Sequence, residues 1–268
     1  MTTSWTTHGV EFLPDTVRKR FRPDADGDPD REWRALTLLD RYAPGLAPRP
    51  LSLDGRTVTM SRLPGLPLRG TELTPAHLDA LARATDRLLH AVPPEELAAL
   101  PERRWYVGDS VAAIRRRAAL PSLPSLPALP ALPALVAGLR WLAGAEASLS
   151  APWAPVLGQA DGNLANFLWD GADVRLVDFE DSGRSDRPYE LAELVEHLSA
   201  WVDTDLDAAA FLGRFTLSPA EQARLLECRR LFALLWLVFL ATDPATAARN
   251  PPGTTERQAA RLLALLDY

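Results

Sequence analysis

The chain has 268 residues, 47% of them hydrophobic and 24% charged, a balance typical of a globular protein with room for a sizeable core. Its net charge of −6 argues against a nucleic-acid-binding protein, because phosphate backbones are bound by a surplus of Lys and Arg. The single cysteine, Cys228, excludes an intrachain disulfide and a zinc site built from cysteines.

The pattern of apolar residues predicts neither a membrane span nor a signal peptide. The longest apolar run, LFALLWLVFLA at residues 231–241, has only 11 residues and therefore predicts a buried helix. The N-terminal MTTSWTTHG lacks a basic region followed by an apolar core. The four histidines are scattered without an HxxxH pair, which disfavours a histidine metal site. We expect a cytoplasmic protein that binds neither membranes nor nucleic acid.

Two short segments with the strand pattern, at residues 10–13 and 17–21, flank a Pro-Asp-Thr turn and predict a β-hairpin. Because side chains alternate along a strand, Val17, Lys19 and Phe21 share one face. Lys19 is the only lysine, so 28 of the 29 basic residues (29 − 1) are arginines. If this face is buried, the ammonium group can pair with phosphate oxygens. The alternative is a surface lysine on an edge strand.

The segment REWRALTLLDRY predicts an α-helix with Asp30 as its N-cap. Glu32 precedes Leu36 by four residues and Leu39 by seven, which places its carboxylate on the apolar stripe of that helix. A carboxylate in that position needs a cationic partner, and Lys19 lies 13 residues earlier. The alternative is a glutamate near a helix N-terminus that stabilises the helix dipole.

A second hairpin is predicted for residues 51–53 and 57–63, joined by the turn pair Asp54-Gly55. Residues 63–70 are predicted to form a linker, and the chain beyond them is predicted to be largely helical. The Leu-Pro repeat at residues 120–135 has proline at every third position and predicts an extended, polyproline-type connector. Helical patterns cover residues 74–91, 109–119, 189–202, 206–215, 219–242 and 255–266.

The stretch GQADGNLANFLWDGADVRLVDFED at residues 158–181 places polar residues around a tight hairpin. Asp161 precedes Asn166 by five residues, Asn166 precedes Asp178 by 12, and the hairpin turns at Asp170-Gly171. An Asn oxygen and an Asp carboxylate at the two ends of one hairpin can bind one Mg²⁺, with Asp161 nearby as a proton acceptor. The alternative is that all three are turn residues, which accounts poorly for Asp178 at the end of an apolar strand.

Negative charge is concentrated in the same part of the chain. Residues 151–210 contain 13 acidic residues and three arginines, a local net charge of −10 (3 − 13). Such a region favours a cation, either Mg²⁺ or a positively charged small molecule. The alternative is an acidic surface that is simply solvated.

The run Asp161-Gly-Asn-Leu-Ala-Asn166, followed by Leu176-Val-Asp-Phe-Glu180, resembles the aminoglycoside phosphotransferase and choline kinase branch of the protein-kinase-like fold. The resemblance extends from about residue 10 to the C-terminus. It implies an α+β fold with two lobes, a small and shortened strand-rich lobe at residues 1–63 and a larger helical lobe at residues 64–268. The first lobe would bind the nucleotide, and the second would carry the catalytic loop and the acceptor pocket.

The resemblance also implies a role for each candidate site residue. Lys19 would bind ATP phosphates, Glu32 would orient Lys19, and Asp161 would be the catalytic base. Asn166 and Asp178 would bind Mg²⁺, with Glu180 as a weaker candidate. The hinge whose backbone meets adenine would include Met60, Ser61 and Leu63.

The implied activity is transfer of the ATP γ-phosphoryl group to a hydroxyl of a small, cationic acceptor such as an aminoglycoside or an amino alcohol. Two departures from the family pattern support an alternative, a nucleotide-binding protein with weak or no transfer. Gln159 stands where the family has a histidine, and the first hairpin offers only Gly9 near the phosphates. A third reading, a helical scaffold that uses the Leu-Pro run as a ligand segment, requires the Asp and Asn pattern to be accidental.

Overall fold

The computed structural model describes residues 8–24, 27–119 and 131–267. A four-stranded antiparallel sheet with the strand order β1-β2-β4-β3 lies at the N-terminal end. Its strands are β1 (Gly9–Phe12), β2 (Thr16–Arg20), β3 (Pro50–Asp54) and β4 (Thr57–Ser61), and α1 (Pro29–Tyr42) packs against β3 and β4. Both hairpins that the sequence predicts for this region are therefore present.

The inward face of β2 is the predicted one. Lys19 and Phe21 are buried, and Val17 is partly buried against the core. Lys19 lies opposite Val10 on β1 and Val58 on β4, so it stands in the middle of the sheet and not on an edge strand. The reading of Lys19 as a surface residue is therefore wrong.

The N-cap of α1 is Asp28, and the prediction of Asp30 is wrong. The Asp28 carboxylate accepts a hydrogen bond from the N–H of Asp30 at 2.9 Å. Pro29 occupies the first helical turn, where its lack of an N–H leaves no donor unpaired. The proline thus extends the helix beyond the start that the apolar stripe alone predicts.

The predicted linker at residues 63–70 is fixed in place by a short strand. Within it, β5 (Leu66–Pro67) pairs with β7 (Phe167–Trp169), which pairs in turn with β8 (Val174–Leu176). Gly65 has a φ of +118°, and a Cβ there would lie 2.8 Å from the carbonyl oxygen of Trp169. This close approach, invisible from residue spacing, joins the connection to the polar hairpin.

The remainder of the described chain is rich in helices. These are α2 (Pro75–Ala91), α3 (Pro94–Ala98), α4 (Val107–Ala118), α5 (Ala131–Leu149), α6 (Arg187–Glu196), α7 (Ala208–Leu212), α8 (Pro219–Thr242), α9 (Pro244–Ala248) and α10 (Thr254–Leu266). The central helix α8 packs against α4, α5, α6 and α10. No helix within the described ranges is both long and apolar enough to cross a membrane.

The Leu-Pro run is only partly described. Residues 120–130 lie outside the described residues, so the extended conformation predicted for them stays a prediction. From Ala131 onward the chain is helical, and the extended prediction is wrong for residues 131–135. Pro133 lies in the first turn of α5, where a proline removes no intrahelical hydrogen bond. The helices α3, α5 and α9 are not among those predicted from the sequence.

The helix predicted for residues 189–202 ends early. α6 stops at Glu196, and residues 199–203 form a separate π-type turn. The cause is His197, whose Nδ1 accepts a hydrogen bond from the N–H of Ser199 at 3.1 Å and so competes with the helical pattern. α7 is likewise shorter than the predicted 206–215, whereas α8 has the predicted bounds.

A two-stranded pair that the sequence analysis missed frames the polar stretch. β6 (Pro155–Gly158) pairs antiparallel with β9 (Gly183–Asp186). The loop that carries Asp161 follows β6 directly, and the hairpin of β7 and β8 comes next along the chain. Both ends of the 158–181 stretch are therefore held side by side by one ladder.

Candidate active site

The loop after β6 holds the Asp161 carboxylate by hydrogen bonds on both oxygens. Oδ1 accepts from the N–H of Asn163 at 3.0 Å, and Oδ2 accepts from the Asn166 amide at 2.8 Å. Gly162 permits this turn because a Cβ there would lie 2.8 Å from the Glu193 carbonyl oxygen on α6. The loop is thus pressed against α6, and Asp161 has a defined orientation.

The hairpin explains the 12-residue spacing between Asn166 and Asp178. Phe167 pairs with Leu176, and the N–H of Val177 donates to the carbonyl oxygen of Asn166 at 3.0 Å. Asn166 and Asp178 therefore lie at the open end of the hairpin, one beside each strand, and line the same cavities. The structure brings together all three polar residues of the stretch. Asp161 also makes a local turn bond with the N–H of Asn163, as the reading of turn residues expects, whereas Asp178 lies at a strand end.

Lys19 lies at the centre of a cluster of carboxylates. Its ammonium nitrogen is 2.6 Å from Glu32 Oε2, 2.5 Å from Asp178 Oδ1 and 2.6 Å from Glu180 Oε2. Burial alone would lower the pKa of Lys19, but the three carboxylates together raise it above its usual value. The lysine is therefore charged, and it joins β2, α1 and the segment after β8.

Gln159 occupies the position at which the family pattern has a histidine. Its side-chain amide donates to the carbonyl oxygen of Val177 at 2.7 Å, and its backbone N–H donates to Glu190 at 3.1 Å. The first bond joins the loop after β6 to the strand end that carries Asp178. Gln159 therefore holds these two parts of the site together.

Several carboxyl groups of the site have raised pKa values, Asp161 and Glu180 among them. Burial, followed by the negative charges of Asp178 and Glu193, raises the pKa of Asp161 to about 7. The pKa of Glu180 is also raised to about 7, by burial first and by Asp178 and Glu32, against the opposing effect of Lys19. A pKa near neutral pH suits a carboxylate that accepts a proton during a reaction.

A cavity of about 400 Å³ lies between the sheet and the polar hairpin. Met60, Ser61 and Leu63 line it, together with apolar side chains of both parts. The N–H of Ser61 already donates to the carbonyl oxygen of Arg49, and the N–H of Arg62 donates to the carbonyl oxygen of Asp15, both at 2.9 Å. Of the predicted hinge residues, Leu63 is therefore the better placed to offer its backbone N–H to a bound base.

A second cavity of about 730 Å³ shares several lining residues with the first and has more charged residues in its wall. Lys19, Asn166, Asp178 and Glu180 line it, and so does Arg69 from the connection after β5. The Asn166 amide nitrogen bonds Asp161, and no described residue donates to its amide oxygen. An amide oxygen and a carboxylate at one cavity are hard ligands of the type that Mg²⁺ prefers, so these residues fit a metal ion.

A third, smaller pocket of about 220 Å³ lies on the other side of Asp161. Aromatic and apolar residues line one part of it, namely Trp105, Phe232, Leu235, Trp236 and Phe239. Carboxylates line the other part, namely Asp161, Asp178, Glu180, Asp181 and Glu193. Five of the 13 acidic residues at positions 151–210 therefore line one pocket. These five do not simply form part of a solvated acidic surface.

His197 is a residue that the sequence analysis missed. Its Nδ1 accepts from the N–H of Ser199, so its ring proton lies on Nε2, which is 3.8 Å from Asp161 Oδ1. Burial, with the nearby Arg69, lowers the pKa of His197 to about 3, so the ring is neutral. Trp105, Trp236 and Glu193 were also missed, because they come from distant parts of the chain and no local spacing marks them.

Comparison with known proteins gives the family. The model of the phosphotransferase enzyme family matches residues 4–232, which is most of the chain. The chain belongs to this phosphotransferase enzyme family. The resemblance inferred from the Asp-Asn and Val-Asp-Phe-Glu motifs is thus confirmed, and the protein is a small-molecule phosphotransferase.

Solved structures agree with this phosphotransferase fold. A choline/ethanolamine kinase family protein from Mesorhizobium loti matches with a TM-score of 0.67 at 19% identity, over 98% of this chain and 86% of that one. Choline kinase LicA from Streptococcus pneumoniae matches with a TM-score of 0.61 at 14% identity, over 100% and 92%. Aminoglycoside phosphotransferase APH(4)-Ia, in a ternary complex with AMP-PNP and hygromycin B, matches with a TM-score of 0.61 at 15% identity, over 99% and 95%.

These likenesses confirm the expected fold class, a small strand-rich lobe followed by a larger helical one. No curated protein matches the sequence of this phosphotransferase. The acceptor must therefore be inferred from the site itself.

Proposed function

We propose that this phosphotransferase transfers the γ-phosphoryl group of ATP to a hydroxyl of a small cationic acceptor of about the size of an amino alcohol. The observation that carries the proposal is the position of Asp161. Its carboxylate lines both the polar cavity that contains Lys19 and the acidic, aromatic pocket on the other side. A hydroxyl in the pocket and a phosphate in the cavity would meet at this carboxylate.

The nucleotide would occupy the two larger cavities. The adenine would lie in the apolar cavity against Met60 and Ser61, with the N–H of Leu63 as donor, and the phosphates would reach Lys19, which Glu32 holds in place. We accordingly propose residues 1–63 as the nucleotide lobe and residues 64–268 as the lobe that carries the catalytic loop and the acceptor pocket.

Asn166 and Asp178 would hold Mg²⁺, and Glu180 is the weaker candidate because its Oε2 already contacts Lys19 and His8. A bound Mg²⁺ would neutralise charge that develops on the phosphate oxygens. The residues themselves supply the ligand atoms, and Lys19 supplies a second positive charge on the phosphate side.

The transfer step follows from the position of Asp161. The acceptor hydroxyl gives its proton to the Asp161 carboxylate while its oxygen forms a bond to the γ-phosphorus. The bond from that phosphorus to the bridging oxygen breaks, and ADP leaves. Asn163 and Asn166 keep the carboxylate oriented by their hydrogen bonds.

The dimensions of the acceptor pocket favour a small substrate. Its volume of about 220 Å³ lies below the roughly 300–1,000 Å³ of pockets that enclose drug-sized ligands. Carboxylates and aromatic faces both stabilise a cation. An amino alcohol therefore fits this site better than a multi-ring aminoglycoside does.

A second candidate, a nucleotide-binding protein with little transfer activity, has one observation in its favour. The turn between β1 and β2 is Leu13-Pro14-Asp15 and contains no glycine. A turn of this kind would offer few backbone N–H groups to the phosphates, which weakens nucleotide binding.

The decisive experiment measures ADP release and phosphorylated product from Mg²⁺ and ATP with ethanolamine, choline and hygromycin B as acceptors. We expect product with an amino alcohol and none with hygromycin B. Asp161→Asn is the matched control and should bind nucleotide without forming product. Nucleotide binding without product from any acceptor would favour the second candidate, and absence of nucleotide binding would contradict both.

A further inference from the structure

The backbone of Trp105 has a conformation that bulky residues rarely adopt. Its φ is +56°, in the left-handed region where a Cβ crowds the backbone. Within the described residues, four non-glycine positions have such a φ: Trp105, Ala160, Asp178 and Asp205. The first three of these line the acceptor pocket. Backbone strain is thus concentrated at one site. Strained conformations of this kind commonly cluster at functional sites, where they hold reactive groups in place.

Hydrogen bonds between the backbone of Trp105 and three other side chains hold the residue in this conformation. Its carbonyl oxygen accepts from the Tyr189 hydroxyl at 2.5 Å and from Ser110 Oγ at 2.9 Å. Its N–H donates to Asp109 Oδ2 at 3.2 Å. Tyr189 is fully buried in α6, so the strongest of these anchors belongs to the rigid core.

The preceding residues fix the other side of the loop. The N–H of Arg104 donates to the carbonyl oxygen of Asp181 at 2.9 Å, and Arg103 forms a buried ion pair with Glu193. Asp181 and Glu193 are both residues of the acceptor pocket. The loop that carries Trp105 is therefore built onto the walls of that pocket.

The indole of Trp105 borders two cavities at once. On one side it lines the acceptor pocket, where it packs edge-on against Phe239 with the ring centres 5.8 Å apart. On the other side it lines a surface pocket of about 200 Å³ together with Arg104, Asp109 and Arg116. Trp105 is thus shared by two spaces of similar size.

We propose that Trp105 is a specificity-determining residue, whose indole sets the upper size limit of the acceptor, and that Tyr189 and Ser110 are positioning residues for it. The proposal rests on the proposed function in one respect only, the assignment of this pocket to the acceptor. The aromatic face contributes cation binding, and the placement of the ring closes the pocket toward the surface.

The test measures binding of tetraalkylammonium ions, from tetramethyl- to tetrabutylammonium, to the full chain by calorimetry. The wild-type protein should bind the smallest ion best. Trp105→Ala should lower the preference for tetramethyl- over tetrabutylammonium by at least about 10-fold. The longer alkyl chains of tetrabutylammonium would then find room in the pocket where the indole had been. Trp105→Phe should have an intermediate preference, and ATP affinity should stay unchanged in both variants. The matched control is Trp153→Ala, which removes an indole that packs on Arg224 outside the pocket.

Tyr189→Phe tests the positioning role without removing a ring. It deletes the hydroxyl that bonds the Trp105 carbonyl, and we expect the size preference to fall by about 2- to 5-fold. Tyr106→Phe is the control, because the hydroxyl of this neighbouring tyrosine bonds Asp186 at 2.7 Å instead. A purely structural role of Tyr189 would lower the melting temperature and leave the size preference unchanged.

Two results would overturn the inference: failure of the wild-type protein to bind any of these ions, or the same size preference in wild type, Trp105→Ala and Trp105→Phe. Failure of the proposed function is a separate result. If the ions bind with the expected size preference but no amino alcohol is phosphorylated, transfer is contradicted and the role of Trp105 stands.

Discussion

Two clusters of buried charge lie on either side of Asp161 and differ in how completely they are satisfied. In the first, Arg103 binds Glu193 through two nitrogens at 2.6 and 2.8 Å and Glu190 at 2.6 Å. Glu190 also accepts from Ser185 and from the N–H of Gln159. The side chains of Arg103 and its two partners are at most 10% exposed.

The second cluster is open. One ammonium group, that of Lys19, is shared by Glu32, Asp178 and Glu180, and the Asp178 side chain is 36% exposed at the edge of a cavity. A closed cluster with every partner in place stabilises a fold, whereas an open one with excess negative charge can accept a cation or exchange a partner. The difference separates the residues that hold the site from those that can act in it.

The largest expected effect is on catalysis and concerns the residue between the clusters. Asp161→Ala should lower kcat by about 10²–10⁴-fold, because the acceptor hydroxyl loses its proton acceptor. Nucleotide affinity should stay close to that of the wild type, since Asp161 is proposed to contact the acceptor. Steady-state kinetics and nucleotide titration measure the two quantities. A full transfer rate in Asp161→Ala would refute its assignment as the base.

Loss of the cation from the closed cluster around Arg103 should lower the stability of the protein more than loss of the cation from the open cluster around Lys19. Arg103→Met leaves two buried carboxylates unpaired and should lower the free energy of unfolding by about 3–5 kcal/mol. Lys19→Met should cost less, because Asp178 and Glu180 can be hydrated from the cavity, but it should weaken nucleotide binding. Urea denaturation of both variants gives the comparison. An equal loss in the two would contradict the distinction between the clusters.

Stabilisation of the protein by ATP and Mg²⁺ should depend on the open cluster around Lys19 and not on the closed cluster around Arg103. ATP with Mg²⁺ at 100 times its Kd should add about 2.7 kcal/mol to the stability of the wild-type protein. Asp178→Ala should lose the part of this effect that requires Mg²⁺, whereas Asp161→Ala should keep it. Melting curves with ATP, Mg²⁺ and both provide the measurement. A shift in Asp178→Ala as large as that of the wild type would exclude Asp178 as a metal ligand.

The smallest expected effect is a pH dependence of stability. Because the pKa of Asp161 is raised to about 7 in the folded protein, its charged form destabilises the fold, increasingly as pH rises through about 7. Asp161→Asn should therefore gain melting temperature relative to the wild type between pH 5 and pH 8. The control is Asp170→Asn, because hydrogen bonds from the backbone lower the pKa of Asp170 to about 2. Its difference from the wild type should be constant over that range, and a constant difference for Asp161→Asn would contradict the raised pKa.

Local patterns in the sequence predicted most of the elements that position the site. Strand alternation placed Lys19 inward, the Asp170-Gly171 turn predicted the hairpin, and the apolar stripe of α1 placed Glu32 in the interior. These predictions succeed because each depends on residues close together in the chain. Where a single side chain outweighed the pattern, as Pro29 did for the start of α1 and His197 for the end of α6, the predicted bounds were wrong.

The sequence by itself determined the identities and the order of Lys19, Glu32, Asp161, Asn166 and Asp178, and with them the family. Only the tertiary structure decided the proposed acceptor pocket. Trp105, Glu193 and Trp236 lie far apart in the chain and meet there because α8 packs against α6 and against α4, which follows the loop that carries Trp105. Side chains from separate elements have no shared spacing, so their contact arises only when the chain folds. The same holds for the pKa of Asp161, which is raised by burial first and then by Asp178 and Glu193.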